Sequence, residues 1–464
     1  MGEHLSLLRP TFPPMMAILA QVARVLPLDL LAAVRLLPAL ADAALIVLTA
    51  LICRTLGGGR RAQILAAVAV LVAPLFLRAG MFFHPVVFEQ LWWTLALLAL
   101  AKLLAGSDRR WWLGLGAALG LGALTKFSVA FLAAGVAVAV VLSPLRRDLG
   151  TRWPWIAIAL AALLALPTML GQLAWGWPFL VQARRLQATQ LGHFSRLEFL
   201  TGQFLLLGPG APLWLVGLIG LATRDLRTFR ALGLLALVVL LLLLVSGGKD
   251  YYYGPVHPLL IAAAYAVLGG RSDRRAGFVI ALGWFALAGL ALLPMGVPIL
   301  SPGPMARYAA ALGLSKATRT NYGTTLALPQ DYADMTGWRE QVETVAAVYR
   351  ALPADDQRRA VIYAINYGRA GALALYGREL GLPYPISRHG DFWFWGTRGL
   401  TGDVTLIVGA SLEDERPHFD TCVEAARSRN RWGVDEEQDV PILICRGPHF
   451  DFATMFRERG PYWG

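Results

Sequence analysis

The sequence predicts a polytopic α-helical membrane protein of about ten spans, with a soluble α/β domain at its C-terminus. Three observations lead there. Of 464 residues, 56% are hydrophobic and 16% charged, against roughly a quarter charged in an ordinary globular domain; a water-soluble fold cannot hide that much apolar surface. The apolar residues come in runs of about 20, the length an α-helix needs to cross roughly 30 Å of hydrocarbon, whereas a β-barrel would alternate with a period of two. Beyond residue 300 the composition returns to that of a water-soluble chain.

The apolar runs fall at 30–53, 62–80, 84–105, 111–125, 127–143, 154–173, 201–222, 229–246, 254–269 and 275–299. The pair flanking Lys126 is short and Gly-rich, so it reads either as one broken element or as two closely packed helices.

The net charge of +12 does not signal nucleic acid, because of where it lies. Of the 42 Lys+Arg and 30 Asp+Glu, residues 300–464 hold 18 and 20, which leaves 24 basic and 10 acidic residues in the apolar part. The excess sits in alternate loops: Arg54, Arg60 and Arg61; Arg109 and Arg110; Arg146, Arg147 and Arg152; Arg224, Arg227 and Arg230; Arg271, Arg274 and Arg275. Cytoplasmic loops retain positive charge, so these five are expected inside and the intervening loops, with residues 300–464, outside. No basic patch interleaved with aromatics is present. Ten spans with an outside C-terminus also put residues 1–29 outside. Residues 1–14 hold Glu3, His4, Arg9 and three prolines but no apolar run, so one further helix is expected ahead of residue 1.

In the C-terminal part, 360–365, 404–409 and 441–445 read as buried strands and 338–351, 368–380 and 412–427 as amphipathic helices, the alternation of a small α/β domain. Cys422 and Cys445 are either a disulfide or two buried thiols. The stretch Asn366-Tyr367-Gly368-Arg369-Ala370-Gly371 reads as a tight strand-to-helix turn, with an anion cradle as the weaker alternative. The aromatic run Phe392-Trp393-Phe394-Trp395 suits either a sugar ring or a docking surface.

Ionisable residues at membrane depth are costly, so each is a functional candidate. On the outer side they gather: Arg78, His84 and Glu89; Lys126; and Lys249, Asp250, Tyr251, Tyr252, Tyr253 and His257. Glu89, about one turn into a helix that begins near His84, is a base toward an acceptor hydroxyl or amine, a ligand for a divalent metal or sugar hydroxyls, or the partner of Arg78 or Lys126 in an ion pair. Glu89 and His84 are therefore the catalytic candidates, and Arg78, Lys126, Lys249, Tyr252 and His257 the candidates for a phosphate headgroup. No metal-ligand set is identified. Arg35 and Asp42, two turns apart, are expected to pair inside the bundle. The Walker, HExxH and GxSxG patterns do not occur, which leaves the energy for any reaction in the substrate itself. A lipid-phosphate-linked sugar fits an outer site.

Several stretches, in order, resemble the bacterial glycosyltransferase family 39, related to the protein O-mannosyltransferases and the lipid A aminoarabinose transferase. They are Phe12-Pro13-Pro14, Arg35-Leu36-Leu37-Pro38-Ala39-Leu40-Ala41, Leu124-Thr125-Lys126-Phe127-Ser128, Gly208-Pro209, Ser246-Gly247-Gly248-Lys249-Asp250-Tyr251-Tyr252, Leu328-Pro329-Gln330-Asp331-Tyr332-Ala333-Asp334-Met335-Thr336-Gly337-Trp338, Asn366-Tyr367-Gly368 and Trp395-Gly396. The resemblance implies a GT-C architecture in a bacterial cytoplasmic membrane, a polyprenyl-phosphate sugar donor, and inverting transfer to a glycolipid, polysaccharide or protein at the periplasmic face. It implies that Glu89 is the family's second acidic position, where Asp is usual. Lys126, Lys249 and Tyr252 then lie near donor phosphate and lipid, and Arg9 close to a basic position of the first outer loop. That loop is represented only from its Pro-Pro end, and Glu3 stands too near it to be the family's first acid. The competing readings are a transporter or flippase, which would show repeated halves with broken helices, and a glycolipid-binding member without activity.

Overall fold

The computed structural model of the chain describes residues 4–9, 12–189, 195–223, 226–269, 275–313, 318, 320, 324–458 and 460. It comprises two compact units, Met1–Ile299 and Leu300–Gly464.

The first unit is helical: α1 Met15–Val25, α2 Leu30–Thr55, α3 Arg60–Leu71, α4 Pro74–Ala79, α5 Pro85–Leu104, α6 Trp111–Thr125, α7 Val129–Val141, α8 Arg152–Ala174, α9 Pro178–Thr189, α10 Arg196–Leu207, α11 Leu213–Ala222, α12 Arg230–Ser246, α13 His257–Val267 and α14 Arg275–Gly296. Five helices among the described residues are long and apolar enough to cross a membrane: Leu30–Thr55, Pro85–Leu104, Arg152–Ala174, Arg227–Ser246 and Arg275–Gly296. Two bent pairs raise this to seven. The ten expected runs thus differ from the helices observed, and the breakers are visible. Pro74 starts a new helix within 62–80, and Gly208-Pro209-Gly210 bends Arg196–Gly210 against Leu213–Ala222 by 102°. Such positions interrupt the backbone ladder. Arg224, Arg271 and Arg274 of the basic loops lie outside the described residues.

The long helices are apolar around most of their circumference, and α14 leaves Ile280 71% and Leu287 74% exposed, as a lipid-facing helix does. Small residues set the close crossings. A Cβ on Gly116 or Gly120 of α6 would lie 2.4 Å from the Ala157 carbonyl oxygen or 2.6 Å from the Leu164 Cβ of α8, the small-xxx-small contact of membrane helices. The unit's main core runs through α2, α3, α5, α6, α7, α12 and α13 around Trp93, Leu97, Leu100, Leu235 and Leu260.

The second unit is built on a four-stranded sheet of order β1-β2-β4-β3, with β1 Ala360–Ala364 parallel to β2 Val404–Val408, and β4 Asp439–Pro448 antiparallel to β2 and to β3 Phe419–Arg429. Helices Trp338–Arg350 and Tyr367–Tyr376 cover it around Val345, Ile362, Leu373, Leu406 and Ile442. The expected helix over 412–427 is instead a short helix Leu412–Glu415 and an edge strand. Pro417 breaks the helix, and a register shift between Glu424 and Ala426 disturbs the alternation that would have disclosed the strand. Cys422 and Cys445 face each other in that ladder and are disulfide-bonded, their Cα atoms 4.0 Å apart. The turn at 366–371 is structural. The Asn366 side chain caps its helix by accepting from the Arg369 amide, while Arg369 Nε and Asn366 Nδ2 both donate to the buried Glu437 carboxylate, each at 3.0 Å.

Candidate functional site

The first unit gathers most of the candidate site residues at one end of α5, α7 and α12. Helix α5 starts cleanly because Pro85 occupies its first position, where the missing N–H is no loss, and the His84 ring caps it, Nδ1 accepting from the Val86 amide at 3.4 Å. Glu89 follows one turn later and is buried at 2% exposure. Lys126, in the break between α6 and α7, donates to Glu89 Oε2 at 2.8 Å, and the Ser128 hydroxyl donates to Oε1. Both carboxylate oxygens therefore face donors, as a buried polar group requires.

The third contributor is the segment that follows α12. Gly247 ends that helix in the left-handed conformation (φ 67°), which a residue with a Cβ adopts reluctantly. The chain then turns through Lys249 into a short 3₁₀ helix, Asp250–Val256. The Tyr252 ring lies 4.5 Å from Lys126 Nζ and the Tyr251 ring 5.6 Å, within cation–π range, and the two rings pack edge to face. Lys126 and Lys249 both bear electrostatically on His84, and Arg78 and Lys249 on Asp250. Burial pushes the Lys249 ammonium down to about 8, the nearby Lys126 charge adds to the fall, and Asp250 opposes it.

Helix α10 fixes this segment from below. Gln203 Nε2 donates to the Asp250 carbonyl at 3.0 Å while Gln203 Oε1 meets His257 Nε2 at 2.9 Å. Gly202 lies so close to Asp250 that a Cβ there would come within 2.5 Å of Oδ2.

Of the residues singled out from sequence, the fold brings Glu89, His84, Lys126, Lys249 and Tyr252 together, with Arg78 acting on the same turn. His257 is fully buried and engaged on Gln203, so it supports the 250–256 turn from within. Arg9 is buried where its backbone packs against Gly171 of α8. The expected Arg35–Asp42 pair is not formed. Arg35 is exposed, while Asp42 is buried against Gly80 with Oδ1 lacking a partner among the described residues. Seven residues apart, the two side chains share a face of α2 but stand two turns, about 10 Å, apart along its axis, so neighbours cover Asp42 at one level and leave Arg35 exposed at the other. Sequence reasoning missed Ser128 and Gln203. Ser128 ends the Leu124–Ser128 stretch, but nothing in the sequence shows that it would reach a residue 39 positions away.

An ammonium and a hydroxyl donor on Glu89 do not suit a divalent cation, which takes several oxygen ligands. Among the described residues no group of three or more His, Cys, Asp or Glu could hold a metal ion.

Residues 11–170 match the family model described as dolichyl-phosphate-mannose-protein mannosyltransferase. A comparison with curated proteins finds no match. Among solved structures, ArnT from Cupriavidus metallidurans in the apo state superposes with a TM-score of 0.61 at 17% identity, over 94% of this chain and 88% of that one. The same protein bound to undecaprenyl phosphate gives 0.59 at 15% identity, with the same coverage. Residues 11–170 thus resemble that family's model, and over nearly its whole length the chain, a multi-pass membrane protein by its apolar helices, shares the fold of ArnT.

Proposed function

We propose that this chain transfers a sugar from a polyprenyl-phosphate-linked donor to an acceptor hydroxyl or amine at the extracytoplasmic face of a bacterial cytoplasmic membrane. The observation that carries the reading is the buried Glu89 carboxylate held between Lys126 and Ser128, with Tyr252 against Lys126 and Lys249 within electrostatic reach of Lys126 and His84. A carboxylate that can take a proton stands next to cations that can hold a phosphate. The undecaprenyl phosphate bound by the similarly folded ArnT supports a lipid phosphate as the donor's leaving group. The alternation of basic loops supports the outer placement of the site and of residues 300–464.

The donor phosphate draws Lys126 away from Glu89 and shares it with Lys249. Glu89, relieved of its partner, accepts the proton of the acceptor. The acceptor's oxygen or nitrogen forms its bond to the anomeric carbon as the bond from that carbon to the phosphate oxygen breaks. The electron pair leaves on the polyprenyl phosphate, where the two ammonium groups stabilise it. Attack opposite the leaving group inverts the anomeric centre. Tyr251 and Tyr252 offer flat faces for the sugar or the first isoprene units. No step passes through a metal.

The test is release of polyprenyl phosphate and sugar transfer by purified chain in lipid, comparing wild type with Glu89→Gln. A loss of about 10²–10⁴-fold, the usual contribution of a general base, with the protein still folded is the expected result, some fall in the unfolding midpoint coming from the lost ion pair. Equal rates would remove Glu89 from the chemistry. Solute movement across vesicles without any transfer would replace the enzyme with a transporter.

A further inference from the structure

Helices α5, α7 and α12 have their other ends about 20–25 Å from the Glu89 cluster, given 1.5 Å per residue. Glu89 lies near the start of α5, and Leu103 and Leu104 close it. Lys126 and Ser128 precede α7, and Pro144 follows it. Lys249 follows α12, and Arg227 precedes it. These far ends enclose a cavity of about 630 Å³ lined by Ser107, Arg109, Pro144, Asp148, Arg227 and Thr228 together with apolar side chains. The candidate site makes no use of it.

Its charges do not cancel. Asp148 is committed on both oxygens: Oδ1 to Arg109 Nε at 3.1 Å and Oδ2 to the Trp112 indole N–H at 3.0 Å. Arg109 is thereby neutralised. Arg227 is exposed and has no ion pair among the described residues, and the exposed Arg146 and Arg147 flank Asp148 on the same turn. Apolar Leu103, Leu104 and Leu145 share the lining, and Val141 and Leu142 beside it are 54% and 65% exposed. A net positive, hydroxyl-bearing cavity with an apolar wall, at the ends of membrane-length helices, matches a phosphate headgroup with the first carbons of its chains.

We propose that this cavity is a second anion site, on the membrane face opposite the Glu89 cluster, that binds the phosphate group of an anionic phospholipid with Arg227 as the principal cation. A soluble phosphate ester offers the same chemistry, so the experiment separates the two.

The full chain is placed in phosphatidylcholine nanodiscs, and its unfolding midpoint and its retained ligand by native mass spectrometry are followed in two arms. One adds phosphatidylglycerol to the bilayer and the other adds soluble glycerol 3-phosphate. The variants are Arg227→Gln and Arg227→Lys, chosen because Arg227 has no ion pair to lose among the described residues. Protection of wild type by phosphatidylglycerol, needing roughly tenfold more lipid in Arg227→Gln as expected for one lost charge-assisted contact and restored in part by Arg227→Lys, supports the lipid site. Protection only in the glycerol phosphate arm, lost in Arg227→Gln, overturns the lipid assignment. Identical responses of wild type and Arg227→Gln in both arms overturn the site.

Discussion

The Glu89 carboxylate and the Lys126 ammonium meet at 2.8 Å across 37 residues of sequence, and Glu89 is the more deeply buried of the two, its side chain 3% exposed against 22% for Lys126. The pair joins α5 to the break between α6 and α7. A buried charge whose partner is removed loses its compensation.

Lys126→Met is therefore expected to destabilise the chain by about 3–5 kcal/mol and to abolish transfer, since it removes both the carboxylate's partner and the proposed phosphate ligand. The double variant Lys126→Met/Glu89→Gln recovers most of the stability and none of the activity. Thermal unfolding in detergent alongside the transfer assay checks both halves; a single variant as stable as wild type would contradict the pairing.

If the proposed function holds, Lys249 gives the binding of lipid phosphate a pH dependence. Its pKa in the free chain lies near 8, lowered chiefly by burial and further by Lys126, and a bound anion raises it. Affinity is then highest below pH 8 and falls as pH rises through that value, up to about tenfold per unit in the limit of one linked proton. Lys249→Arg, which stays charged, flattens the profile. Titrations of polyprenyl phosphate between pH 6.5 and 9.5 read this directly, and a profile unchanged in the Arg variant would exclude Lys249 as the group.

Gly202→Ala tests how the Asp250–Val256 turn is held. The new methyl would sit 2.5 Å from Asp250 Oδ2, so the turn must shift, with a loss of about 1–3 kcal/mol typical of overpacking. Transfer declines with it, because Lys249 and Tyr252 flank the displaced residue. Gln203→Leu, which removes the bridge between Asp250 and His257, is expected to act in the same direction. A Gly202→Ala chain with wild-type stability and rate would show that the turn is not positioned by α10.

In the second unit, Cys422→Ser/Cys445→Ser opens a bridge between residues 23 apart and is expected to remove about 3 kcal/mol of stability on chain-entropy grounds. Proteolysis of the full-length chain, followed within residues 300–464, measures the difference. Equal resistance of variant and wild type would show that the bridge adds nothing beyond the β3–β4 ladder.

The acid, the lysines and the tyrosine of the site were legible in the sequence because ions are rare in apolar segments, so each one stands out against its background. The partners of those ions were not. Ser128 and Gln203 are ordinary polar residues whose roles arise only when helices far apart in the chain pack together. The 412–427 stretch shows the same limit, since Pro417 and the Glu424/Ala426 irregularity are local facts whose outcome depends on β4 being there to pair with.

By itself the sequence determined the class of the protein, a helical membrane chain with a water-soluble C-terminal part, because transfer free energy follows composition and needs no partner. It also determined which residues were too costly to be there without a reason. Tertiary structure decided where those residues stand: that Glu89 faces Lys126 and not Arg78, that Asp42 is covered while Arg35 is left exposed, that His257 supports a turn from within, and that 62–80 and 201–222 are broken where they read as continuous. Hydrophobicity is additive along a chain, while an ion pair or a helix crossing depends on the rotation and register of two elements at once.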